Sequence, residues 1–234
     1  MTSKEIPSRA FLVITDDNIE KLLSNINEKL GVNATAIYDF FNKGGGWAPE
    51  VSSTRIWEVY RSLFSYTKDI AIPVVSSGKD TVLHYEGSAV LKNGKITERI
   101  SPNESQFVNL FQNRKANGRV ESLGFASIMV TNSSIRMKTS MKNNKPQVSS
   151  DLHLKIDIQE RKEGITNNQI QKELEQRIEK RFYHIFEQAQ KSHTDIFGFG
   201  QYFRHQIPYQ ELKDWRERYY PKLKVNFQVH ASLD

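Results

Sequence analysis

Between Asn167 and Lys191 the apolar residues Ile170, Leu174, Ile178, Phe182, Ile185 and Ala189 recur every three or four positions. That period lines one face of a helix and predicts a long helix of about 167–191 whose stripe packs along a sheet. The stretch before it has another period. In "DLHLKIDIQE", Asp151 to Glu160, Leu152, Leu154, Ile156 and Ile158 alternate with His153, Lys155, Asp157 and Gln159, as in a strand with one buried and one wet face. "KVNFQVHAS" repeats that alternation through Val225, Phe227 and Val229. Arg119 to Thr131 and Ser134 to Ser140 are two further extended segments.

Upstream, "RAFLVIT", Arg9 to Thr15, is short, apolar and rich in β-branched residues, which predicts a buried strand. Asp16 or Asp17 is expected to cap a helix through Ile19, Leu22, Leu23, Ile26 and Leu30, ended by Gly31. A Gly- and Pro-rich loop, Asn42 to Ser53, leads to a second helix over about Thr54 to Thr67, with Ile56, Val59, Tyr60, Leu63 and Phe64 on one side. Ile70 to Val75 and Thr81 to Tyr85 read as extended. Asn93-Gly94 between Val90-Leu91 and Lys95-Ile96 predicts a hairpin turn in which both central residues take positive φ. Ser101-Pro102-Asn103-Glu104 then reads as a capping box opening a short helix with Phe107, Leu110 and Phe111. Pro208 to Tyr219 is expected to form a last helix bearing Leu212, Trp215 and Tyr219. The order predicts an α+β fold with mixed, largely antiparallel sheets packed with helices. The expected division is a smaller α/β-type domain over 1–85 and a carboxy-terminal α+β domain over 86–234.

Composition narrows the chemistry. Lys and Arg exceed Asp and Glu by 33 to 27, a net charge of +6 that brings anionic partners into consideration, yet no run of five like charges concentrates it. The chain has no cysteine, which excludes disulfides, thiolate zinc sites and cysteine nucleophiles. The opening residues lack a charged segment followed by a long apolar one, and about 18 apolar residues never occur together, so the chain alone is expected to be soluble. The six histidines lack the paired spacing of a helical zinc site, and no metal or other cofactor is expected. Glu173, Glu175 and Glu179 sit among Lys172, Arg177, Lys180 and Arg181, where ion pairs along the helix are the simplest account. Neither a nucleophile elbow nor a phosphate loop is present, so no enzymatic activity is expected.

Two stretches invite a functional reading. Tyr202 to Lys222 interleaves aromatics with Arg204, Arg216, Arg218 and Lys222, as a nucleic-acid-binding domain with a basic, aromatic surface would. The same aromatics fit a packed helix face with snorkelling arginines, the preferred reading, so no nucleic-acid partner is expected. In "TDIFGFGQYFRHQIP", glycines after Phe197 and Phe199 permit a sharp corner with both rings packed under the long helix.

"AQKSHTDIFGFGQYFRHQIP" followed by "LKDWRERYYPKLKVNFQV" resembles the carboxy-terminal signature of the C subunit, the lipoprotein component, of spore nutrient germinant receptors. "LHYEGSAVLKNGKI" is similar to that family's Gly-x-Ala-Val-Phe-Lys segment, with Leu91 in place of the aromatic, and "SRAFLVITDDNIEKLL" resembles a strand and helix from the middle of such subunits. The resemblance is collinear over almost the whole chain. It implies a non-enzymatic protein-interaction subunit, needed for nutrient-triggered germination, beside membrane-embedded A and B type subunits. The implied location is the outer face of the spore inner membrane, reached through a lipid anchor that is absent from this chain. Asp195, Phe197, Gly198, Gly200 and Trp215 match the family's motif positions, and the implied role is first a structural corner, then partner docking. The lipid-bearing cysteine and preceding domain of the family are missing here, so the expectation is a fragment or a shortened relative.

Overall fold

The computed structural model describes residues 10–30, 51, 54–79, 82–112 and 118–234. They fall into two units, Met1–Ser65 with Asp69–Ser105, and Tyr66–Lys68 with Gln106–Asp234.

The first unit holds α1 (Ile19–Leu30), α2 (Ile56–Leu63) and an antiparallel sheet of β1 (Ile70–Ser77), β2 (Leu83–Lys92) and β3 (Lys95–Ile100) in sequential order. Asn93 and Gly94 both take positive φ, 50° and 77°, and close the β2–β3 hairpin as their side chains permit. Leu22, Ile26, Val51, Val75 and Leu83 form a core cluster, with Phe11, Val13, Val82 and Tyr85 packed against it.

Three expectations for this unit need correction. Residues 10–15 make only two isolated bridges, Phe11 to Arg55 and Ile14 to Val74, because Ile14 exchanges backbone bonds with Pro73 and Val75 of β1 and then leaves it. Neither aspartate caps α1. Asp16 is held in a two-pronged ion pair by Arg99 at 2.6 and 2.8 Å, and Asp17 accepts from the Ser77 amide at 2.7 Å. The hydrogen bond from Arg99 holds the Asp16 carboxyl below its ordinary range. Asn18 caps instead, accepting from the Lys21 amide at 3.1 Å. Finally, α2 is shorter than its pattern predicts, and Tyr60, Leu63 and Phe64 of the expected packed side are exposed while Ser62 is buried. Gly31 and the loop of 42–53, Val51 excepted, are outside the described residues, or in part so.

α3 (Pro102–Phe111) opens on one half of the predicted box: Glu104 accepts from both the Ser101 amide and its hydroxyl at 2.7 Å, while the Glu104 amide donates to the Ser101 carbonyl and not to its hydroxyl. Phe107, Leu110 and Phe111 are buried.

The second unit is a four-stranded mixed sheet in the order β4 (Arg119–Ser122), β5 (Ala126–Lys142), β6 (Lys145–Arg161) and β7 (Lys224–Leu233). Neighbours are antiparallel except β6 and β7, which run parallel because α4 (Asn167–Lys191) and the segment after it return the chain to the same end. The three predicted extended segments are redistributed. Arg119 to Thr131 breaks at a turn around Gly124, and Ser134 to Ser140 belongs to the same strand as Ala126. The turn that pairs β5 with β6 is Asn143-Asn144, at φ 52° and 56°. Asn tolerates that region, so this hairpin signal lay in the sequence unread.

α4 is the predicted helix. Thr166 and Gln169 cap it reciprocally, and every residue of its apolar stripe is buried, joined by Phe186. Its acidic residues do more than pair along the helix. Glu173 takes Arg177 at 3.0 Å as expected, but Glu175 and Glu179 accept from the Ala231 and Val229 amides at 2.8 and 3.0 Å. One turn further on, the Tyr183 hydroxyl accepts from the Phe227 amide at 3.0 Å. Acceptors spaced by one helical turn thus satisfy alternate outward amides of β7, the sheet edge that would otherwise invite another strand. Arg181 crosses to the buried carboxylate of Glu121 in β4, at 2.7 and 3.0 Å.

Candidate functional site

The residues after α4 build the corner that the sequence singled out. Ser192 caps the helix by donating to the Gln188 carbonyl at 3.1 Å, and His193 then takes φ 56°, turning the chain so that the Thr194 amide donates to Ala189 at 2.9 Å. Asp195 follows with no solvent exposure. Its carboxylate accepts from the Phe199 amide at 2.9 Å, the Gly200 amide at 2.7 Å and the Trp215 indole nitrogen at 2.8 Å. A buried charge persists only where donors of this kind replace water. Asp195 therefore stitches three points together: the end of α4, the 3₁₀ turn Phe199–Phe203, and the Trp215 segment 20 residues on.

The two glycines serve this turn in different ways. Gly198 precedes it at φ 72°, a left-handed conformation that favours glycine. Gly200 is a matter of space: a Cβ there would lie 2.6 Å from the Trp215 indole and 2.8 Å from the Thr67 Cβ. Trp215 occupies the room that glycine leaves.

Phe197 and Phe199 face inward, 5.3 Å apart, and each lies within 5.3 Å of the Phe111 ring. Phe182 of α4 joins them and stacks on Phe227 of β7 at 4.2 Å. Trp215 stacks on Phe203 at 5.3 Å and 27°. The corner is thus continuous with the core of its unit.

All five motif residues are buried, so none presents its side chain to a ligand. Asp195, Gly200 and Trp215 converge, Phe197 enters the aromatic cluster, and Gly198 sets the turn. The sequence reading missed Thr67, which packs against Gly200 and accepts from the Gln201 side-chain amide. It comes from more than a hundred residues upstream, with no local signal to mark it.

The last helix also needs correction. It is α5 (Tyr209–Leu212), a π turn over Trp215–Tyr219 and a 3₁₀ turn over Tyr220–Lys222. The short helix carries Leu212 inward and the wider π turn Trp215 and Tyr219, so the spacing was satisfied by a different backbone. Tyr219 donates to Glu211, and that hydrogen bond, followed by burial, raises its phenol above the ordinary range.

This packing removes most of a stacking platform for nucleic acid. Phe203, Trp215, Tyr219 and Tyr220 are buried, which leaves Tyr202 and Tyr209 exposed in that run. His153 and His230 lie on the wet face as predicted, partnered across β6 and β7 with their rings stacked at 5.1 Å. Among the described residues, no group of three His, Asp or Glu side chains could hold a metal ion, and no helix is long and apolar enough to cross a membrane.

Two family models match the chain in sequence. The one described as "Spore germination B3/ GerAC like, C-terminal" covers residues 86–234, and "Spore germination protein N-terminal domain" covers residues 1–77. The fold is similar to the crystal structure of the GerBC protein, with a TM-score of 0.66 at 16% identity, over 98% of this chain and 80% of that one. No curated protein matches the sequence.

Proposed function

Since this chain belongs to the GerAC-like spore germination family, we propose that it is the C-type subunit of a nutrient germinant receptor, acting by protein interaction and without catalysis. The observation that carries the reading is the match of both family domains, in order, over residues 1–77 and 86–234. The buried, fully bonded Asp195 supports a structural corner, because a carboxylate engaged by three internal donors has no free face for a substrate. In this reading Asp195, Phe197, Gly198, Gly200 and Trp215 fix the backbone of the carboxy-terminal domain, and docking falls to the exposed residues around them. A domain limit at 85/86 is part of this reading, with one family match ending at residue 77 and the next beginning at 86. Partners are membrane-embedded A and B type subunits at the outer face of the spore inner membrane.

Removing the gene from the host and exposing the spores to single nutrients tests this. The expected result is loss of germination on one nutrient or a small set, restored by the intact gene, with other triggers unaffected. Unchanged germination on every nutrient, in a strain with no second receptor of this type, counts against it.

A further inference from the structure

We propose that the exposed face of α2 is a contact site for an anionic lipid surface, one that needs no covalent anchor. Trp57, Tyr60 and Phe64 recur at helical spacing and are 42%, 66% and 71% exposed, with Leu63 beside them at 41%. Tyr60 and Phe64 pack ring against ring at 5.1 Å, so the two form one apolar surface. A single exposed apolar residue is ordinary, but three aromatics and a leucine on one short helix and its C-terminal cap form a contiguous patch of the kind that marks a contact surface.

The charges beside the patch indicate the occupant. Arg61 lies between Tyr60 and Phe64 on the same face, while Glu58, the helix's carboxylate, is turned to the Arg55 amide at 2.8 Å. The β2–β3 turn comes up to the helix, where a Cβ on Gly94 would sit 3.5 Å from Leu63. Lys95 and Ile96, the latter exposed, follow directly. Amphipathic rings flanked by cations suit the headgroup boundary, where the rings enter the acyl edge and the cations meet phosphate. A second copy of the chain docking face to face would set Arg61 against Arg61, a like-charge contact. The proposal is independent of the receptor reading, since this chain alone can show it.

The test is co-sedimentation of the chain with vesicles of phosphatidylcholine alone or mixed with phosphatidylglycerol, at low and high salt. Binding is expected to the mixed vesicles, to weaken with salt, and to shift the tryptophan emission to the blue, a shift carried by Trp57 among the three tryptophans and lost on its replacement. Trp57→Ser with Phe64→Ser is expected to lower partitioning about tenfold, and Arg61→Gln about fivefold, with circular dichroism unchanged. Absence of binding to the anionic vesicles overturns the proposal. So does equal binding by the folded double variant, or a double variant that loses self-association while keeping lipid binding.

Discussion

Gly200→Val is expected to destabilise the second unit by about 3–5 kcal/mol, a large part of the roughly 5–15 kcal/mol that holds a domain folded. Its first added carbon would lie 2.6 Å from the indole of a fully buried Trp215 and 2.8 Å from Thr67. Neither neighbour can retreat. The indole is stacked on Phe203 and bonded to Asp195, and Thr67 is itself buried. Thermal denaturation should show a drop of about 10 °C or more. Gly198→Val supplies the contrast: its Cβ would meet only the Lys68 side chain, at 3.2 Å, and the cost is chiefly the left-handed φ, about 1–2 kcal/mol. Equal, small effects at both glycines would show that the corner is looser than described.

Asp195→Ala is expected to cost about 3–5 kcal/mol, since it strands two backbone amides and an indole nitrogen in a fully buried site, at about 1–3 kcal/mol each and less than additively. Asp195→Asn keeps one acceptor and turns an amide toward the remaining donors, so a loss of about 2–3 kcal/mol is expected. Urea titration followed by tryptophan fluorescence measures both, with Trp57→Phe and Trp47→Phe in the background so that Trp215 reports the site itself. If Asp195→Ala folds with full stability, the three hydrogen bonds are not what holds the corner.

Much of this was legible in the sequence because it rests on local period. The α4 stripe, the alternation in β6 and β7, and the Asn93-Gly94 turn each depend on residues near one another, and each formed as its pattern required. Long-range partners left no such trace. Glu175 and Glu179 read as ordinary surface charge until β7 supplied their donors, and Arg181 found Glu121 60 residues away. Thr67 joined the corner from 134 residues upstream of Gln201. The α2 pattern misled for another reason. Amphipathicity reports that one side of a helix avoids water, and the same stripe serves for packing inward or for contacting something outside the chain.

The corner was recognisable as a motif before it was explained. Its sequence showed two glycines and two phenylalanines, but not that one glycine answers to φ and the other to Trp215. Nor did it show that Asp195 joins them. All five residues are buried, and in the proposed structural role they shape a surface that other residues present.

The most direct test of the receptor reading is purification of the full-length protein, tagged at its own locus, from detergent-solubilised spore membranes, with the co-purifying chains identified by mass spectrometry. Multi-span membrane subunits are expected in fixed proportion, and are expected to be lost together with the protein when Gly200→Val is introduced. Recovery of the folded protein alone, or with nucleic acid in place of membrane subunits, would contradict it.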